Sequence, residues 1–106
     1  MGNSWSVSFR GVLMKHVGTI GQRMYIFAKC VRSRTFQNTF GYTHMNFLED
    51  RFGNHFVYKG SKVLSVGHFY GMTATIKSHE DYLGTLQTWL GRPKIDKHLD
   101  QDGKVM

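Results

Sequence analysis

The chain has 106 residues, which suits one folded domain with a single modest hydrophobic core. Hydrophobic residues make up 41% and charged residues 20%, near the average for globular domains, so a disordered or collagen-like chain is excluded. Fourteen Lys and Arg against seven Asp and Glu give a formal net charge of +7, and such a surface attracts polyanions. Nucleic acid is therefore the first partner to consider.

Several other classes are disfavoured by what the sequence lacks. No apolar run approaches the length of about 20 residues that a membrane helix needs, and the first residues do not resemble a signal peptide. We therefore expect a soluble, cytoplasmic protein with no membrane partner. One cysteine, Cys30, cannot form an internal disulfide or a cysteine-rich zinc site.

The first part of the chain differs in pattern from the rest. Apolar residues recur at helical spacing after Ser4, a helix-capping residue type, which predicts a short helix over residues 5–16 within an extension covering residues 1–17. Residues 18–92 are divided by glycines into segments of strand length and form the predicted β domain. Residues 93–106 are a polar tail, expected to be flexible or a short helix.

Five strands are predicted, over residues 23–34, 40–48, 55–59, 72–77 and 85–90. In the fourth strand, the core residues are expected to be Met72, Ala74 and Ile76. In the second strand the apolar alternation assigns Thr43, Met45 and Phe47 to the core and the intervening Tyr42, His44 and Asn46 to solvent. Five short antiparallel strands predict a small, mainly β, closed barrel.

Four segments resemble OB-fold nucleic-acid-binding domains of bacterial and phage origin. They are GTIG at 18–21, FGYT at 40–43, DRFGN at 50–54 and, most specifically, TIKSHEDYLGTLQTWLGR at 75–92. The resemblance covers residues 18–92 and implies a five-stranded OB-fold barrel that binds single-stranded DNA or RNA. It also implies a role in phage or bacterial DNA replication or recombination, in the host cytoplasm if the protein is from a phage.

Binding a single strand requires cations along the backbone track and exposed aromatic rings on which bases stack. An OB-fold presents these groups on one sheet face and on the loops after its first and fourth strands. The candidate nucleic-acid-binding residues on that surface are Arg32, Arg34, Phe36, Tyr42, His44, Phe56, Tyr58, Lys59, Lys77, Tyr82 and Arg92. The sequence leaves open which way Phe56 and Tyr58 point, and whether the tyrosines stack on bases or pack in the core.

An enzyme is not predicted. The carboxylate pairs Glu49-Asp50 and Glu80-Asp81 stand near histidines, as in a metal-dependent nuclease. Adjacent strand residues point to opposite faces, however, and both pairs are typical of turns. The six histidines are scattered singly, so a metal site is not expected, and no cofactor is expected because the sequence has no Walker loop or dinucleotide fingerprint.

Two hypotheses of function remain. The first is a sequence-nonspecific binder of single-stranded nucleic acid, with DNA preferred and RNA left open because a 2′-hydroxyl contact has no compositional signature. The alternative is a non-catalytic structural or protein-interaction OB module of a larger assembly. Homo-oligomer formation is also left open, because exposed strand edges often pair.

Overall fold

The computed structural model describes residues 16–106, which form five β-strands and no helix. The strands are β1 (Arg23–Asn38), β2 (Gly41–Glu49), β3 (His55–Gly60), β4 (Phe69–Tyr82) and β5 (Thr85–Leu99). The helix predicted over residues 5–16 lies outside this range except for its last residue. Within the described range, no helix is long and apolar enough to cross a membrane.

The five strands form one sheet with the hydrogen-bonding order β1-β2-β3-β5-β4, and β4 pairs again with β1 to close a barrel. The long strand β1 serves two neighbours, because residues 23–29 pair with β4 and residues 29–38 pair with β2. The contact between β3 and β5 is parallel, so the expectation of antiparallel strands throughout is wrong there. The intervening strand β4 provides the crossover that a parallel pair requires.

The last strand is much longer than expected. β5 continues through Pro93 to Leu99 and pairs with the first half of β4, so residues 93–99 are neither flexible nor helical. Pro93 is tolerated in β5 because it lies opposite a bulge, where the β4–β5 register shifts from Thr73 to Thr75. At a bulge, the missing proline N–H removes no hydrogen bond of the β-ladder. The Arg23 guanidinium donates hydrogen bonds of 3.2 Å to the Arg92 carbonyl and closes this irregular segment.

The core fills the inside of the barrel with side chains from all five strands. Its buried residues include Ile26, Ala28 and Cys30 of β1, Leu48 of β2, Phe56 and Tyr58 of β3, Met72, Ala74 and Ile76 of β4, Leu90 of β5, and Leu64 of the β3–β4 connector. The expected core face of the fourth strand is therefore confirmed.

The second strand has the opposite phase to the one predicted. Its buried residues are Asn46 and Leu48, whereas Met45 and Phe47 lie on the other face and are partly exposed. The prediction was wrong because apolar alternation placed Phe47 inside and excluded a polar asparagine. A shift of one residue moves every side chain of a strand to the other face.

Asn46 is tolerated in the core because both ends of its amide are hydrogen-bonded. Its Oδ1 accepts hydrogen bonds from Ser33 Oγ at 2.9 Å and from the Leu64 backbone N–H at 3.0 Å. Its Nδ2 donates to the carbonyls of Lys62 at 2.9 Å and Tyr58 at 3.4 Å. A single side chain thus ties β1, β2, β3 and the β3–β4 connector together.

We expect Asn46→Ala to lower the free energy of unfolding by about 2 kcal/mol or more, because each buried polar group left without a partner costs about 1–3 kcal/mol. Urea unfolding followed by fluorescence measures this loss. Asn38→Ala is the matched control, since Asn38 is exposed and its amide bonds only to Phe40 and Thr43 of the same β1–β2 hairpin. Equal losses in the two variants would contradict a central role for Asn46.

Candidate nucleic-acid interface

A β-bulge between Cys30 and Arg32 decides which side chains of the second half of β1 face outward. Before the bulge, Cys30 is buried in the core, whereas after it Ser33 points inward and contacts Asn46. The extra residue changes the phase of the strand. It places three of the candidate side chains on the outer surface: Arg32, Arg34 and Phe36.

These side chains meet the outward residues of β2 in register. Arg32 pairs with Phe47 and Arg34 pairs with Met45, and Lys59 follows Met45 on β3. We call the surface formed by Arg32, Arg34, Phe36, Met45, Phe47 and Lys59 the arginine face. The Arg32 guanidinium carbon lies 4.7 Å from the Phe47 ring centroid, and that of Arg34 lies 5.6 Å from the Phe36 centroid. Such cation–π contacts orient the guanidinium groups.

Tyr42 and His44 lie on the other side of the β1–β2 hairpin. Tyr42 pairs with Gln37 and His44 pairs with Thr35, and the His44 Nδ1 lies 2.8 Å from Thr35 Oγ1. Both residues share the phase of buried Asn46, and Tyr42 is 64% exposed because the hairpin extends beyond the barrel. The prediction that these two residues share the face of Arg32 and Arg34 is therefore wrong.

The aromatic candidates of β3 belong to the core. Phe56 is 2% exposed and Tyr58 is 7% exposed, so neither ring is free to stack on a base. The Tyr58 ring folds back over Gly60, where a Cβ would collide with it. Their assignment to the binding surface is wrong, because the barrel turns their face of β3 inward. Lys59, the next residue after Tyr58, is exposed on the arginine face.

The remaining candidates lie on β4 and β5, which do not pair with β2. Tyr82 is 64% exposed at the end of the β4–β5 hairpin. The exposed Lys77 lies at a bulge of β4 with its aliphatic stem over Gly91. Arg92 is also exposed, with a φ of 51°. The structure therefore places four candidates on the arginine face and three in a separate β4–β5 region, and the other four, Tyr42, His44, Phe56 and Tyr58, lie in neither.

Two of the four carboxylates considered for catalysis, those of Asp50 and Asp81, stabilise turns. Asp50 Oδ1 accepts hydrogen bonds of 2.9 Å from the backbone N–H groups of Phe52 and Asn54, and Asp81 Oδ1 accepts one from Gly84. Between residues 16 and 106, no three His, Cys, Asp or Glu side chains are arranged to hold a metal ion.

Some exposed rings were not among the candidates. Phe27 is 43% exposed and lies on the same outward face of β1 as Lys29, and Phe69 is only partly buried. The exposure of Phe27 could have been predicted from the alternation along β1, since residues 26, 28 and 30 form one apolar face and Phe27 lies on the opposite face. A general preference of phenylalanine for the core concealed it.

Comparisons with known proteins assign neither a family nor a fold relative to this chain. The sequence matches no protein-family model, and neither the search of curated proteins nor the search of solved structures gives a match. The functional argument therefore depends on the topology and on the surface residues themselves.

Two matched phenylalanine substitutions separate core from surface. We expect Phe56→Ala to cost about 3–5 kcal/mol of stability, through lost burial and the cavity that remains. Phe36→Ala should change the free energy of unfolding by no more than about 0.5 kcal/mol, because Phe36 is 44% exposed and lies on the outer face. Thermal melts of both variants measure the difference, and similar losses would show that Phe36 is a packing residue.

Burial raises the pKa of the Cys30 thiol, and a backbone hydrogen bond with Arg32 opposes this effect in part. The folded state therefore holds the thiol proton to higher pH than the unfolded state does. This contribution to stability is complete below the unfolded thiol's pKa of about 8.5 and is lost as the pH rises toward the folded value.

We expect the free energy of unfolding of the wild-type protein to fall more steeply above about pH 8.5 than that of Cys30→Ala, which lacks the titrating group. Urea unfolding at a series of pH values measures both curves. Parallel curves would mean that the thiol titrates alike in the folded and unfolded states.

Proposed function

We propose that this protein is an OB-fold binder of single-stranded nucleic acid. The topology supports this proposal, because a closed barrel of five strands is the architecture that the sequence resemblance implies. OB-folds bind oligonucleotides on the face of strands 2 and 3 and on adjacent loops. The arginine face occupies the equivalent position, with a contribution from the second half of β1.

The observation that carries the proposal is the pairing of two arginines with two phenylalanines on this face. A guanidinium held against a ring keeps N–H groups at its edge free to donate to phosphate oxygens. The Phe36 ring is 44% exposed and offers a surface on which a base can stack. Two cations and one ring occupy successive outward positions of β1, and the second ring lies beside Arg32 on β2, so cations and rings are close together, as a flexible polyanion with planar bases requires.

Contacts of this kind read little sequence. They touch phosphates and the faces of bases rather than the donor and acceptor edges, so mixed sequences should bind with similar affinity. Duplex DNA should bind more weakly because its base faces are stacked inside the helix. DNA is the ligand that the resemblance favours, with replication or recombination as the process, and RNA remains compatible with the same contacts.

We expect Arg32→Ala to reduce the slope of log affinity against log salt for a single-stranded oligonucleotide by about 0.7, the value for one lost phosphate contact. Arg34→Ala should have the same effect. Fluorescence anisotropy titrations across a range of salt concentrations measure the slope. If the arginine face contacts phosphates, each of these two substitutions must reduce the slope.

Lys104→Ala is the control. Lys104 is also exposed and positively charged, but it lies on the loop after β5, away from the arginine face. Its removal should leave the slope unchanged. The proposal fails if all three variants behave alike, or if duplex binds as tightly as single strand. Absence of any oligonucleotide binding would favour the protein-interaction module instead.

A further inference from the structure

A second group of exposed rings lies where the first half of β1, β4 and the second half of β5 run side by side. Ile26 and Ala28 point into the core, so the residues between and beside them point outward. Tyr25 is 47% exposed and Phe27 is 43% exposed, and Lys29 follows them on the same side of the strand.

The strand register extends this group into three rows across the sheet. The rows are Tyr25, Thr73 and Lys94; Phe27, Gly71 and Lys97; and Lys29, Phe69 and Leu99. We call the surface formed by Tyr25, Phe27, Lys29, Phe69, Lys94 and Lys97 the lysine face. Its three lysines are all exposed. It shares no residue with the arginine face.

The rings of the lysine face are held in fixed positions. Phe27 and Phe69 lie nearly parallel, with their centroids 6.0 Å apart and an interplanar angle of 6°. The Lys29 Nζ lies 5.8 Å from the Phe69 centroid. The Tyr25 ring lies over Gly71, where a Cβ would collide with its hydroxyl end. The glycine lets this ring approach the sheet backbone while nearly half of the residue remains open to solvent.

The same rings line a groove of about 880 Å³ that continues toward the β2–β3 loop. Lys29 and Arg51 contribute positive charge to its lining, and Glu49 and Asp50 contribute negative charge. The Asp50 carboxylate accepts hydrogen bonds from the backbone N–H groups of Phe52 and Asn54 in its own loop. The groove lining holds two charges of each sign, so the excess positive charge of the lysine face comes from Lys94 and Lys97, which are exposed on the same face.

We propose that the lysine face binds a second segment of single-stranded nucleic acid, so that one protein molecule holds two segments at once. This inference rests on the proposed function, because it assigns the same class of ligand to a second surface. Rings spaced among lysines suit a chain of bases joined by phosphates. Self-association through this face would place its lysines against lysines of the same charge, which is unfavourable.

Two short single-stranded oligonucleotides, one carrying a donor dye and the other an acceptor dye, test the proposal. A length of about 8 nucleotides lies within the range that one OB-fold site accommodates and limits bridging between the faces. We expect energy transfer between the dyes, and native mass spectrometry should show one protein molecule with two oligonucleotides. Phe27→Ala combined with Lys97→Ala should weaken binding of the second oligonucleotide by about tenfold or more.

Arg34→Ala combined with Phe36→Ala is the matched control, because it removes one cation and one ring from the arginine face. Each double variant should bind one oligonucleotide tightly and give little energy transfer. A thermal melt checks that the variants are folded. Lys97→Glu, at an exposed position, provides a second test of the lysine face if Phe27→Ala is unstable.

The outcomes separate the two proposals. Failure of every oligonucleotide to bind would overturn the proposed function and this inference together. A complex of one protein with one oligonucleotide, unchanged by the lysine-face variants, would overturn the inference alone. Energy transfer that occurs only in a protein dimer carrying one oligonucleotide per subunit would also overturn it, because the second strand would then belong to the second copy.

Discussion

The hydrogen bonds of the buried Asn46 amide join the irregular parts of the barrel to its regular strands. The β3–β4 connector has no helix to cover the barrel end, and it inserts Leu64 into the core instead. Asn46 binds the backbone at that insertion, at the Lys62 carbonyl and at the N–H of Leu64 itself. Because a buried amide without partners is costly, the strand, the connector and the inserted leucine form as one unit.

The same connector reaches the bulge that orients the candidate site. The Cys30 N–H donates to the His68 carbonyl at 2.9 Å, and the Cys30 carbonyl accepts from the Gly67 N–H at 2.7 Å. These bonds hold β1 immediately before Arg32. The outward direction of Arg32 and Arg34 therefore depends on a loop that contributes no residue to the arginine face.

β1 supplies both surfaces because it is long and belongs to two parts of the sheet. Before the bulge its odd-numbered residues face solvent, and after it the even-numbered residues do so. The first half contributes Tyr25, Phe27 and Lys29, and the second half contributes Arg32, Arg34 and Phe36. One strand can in this way present rings and cations on two separate areas of a small barrel.

From the sequence, the exposure of a candidate residue could be predicted only where it follows from the residue's own segment. Arg32, Arg34 and Phe36 were correctly placed at the surface because they follow an apolar run and approach a turn. Phe56 and Tyr58 could not be oriented, since β3 is short and Phe56, Val57 and Tyr58 are all buried. Tyr42 and His44 were assigned to the wrong side of β2, because the partners that satisfy Asn46 lie in distant segments.

By itself the sequence determined the β class, the number of strands and the inward residues of β4. These properties follow from glycine punctuation and from a clear alternation of apolar and polar residues within single segments. Only the tertiary structure decided the phase of β2, the parallel contact of β3 with β5, the extension of β5 past Pro93 and the rings that remain exposed. Alternation specifies a period of two residues, but the phase depends on bulges and on hydrogen bonds between segments far apart in the chain.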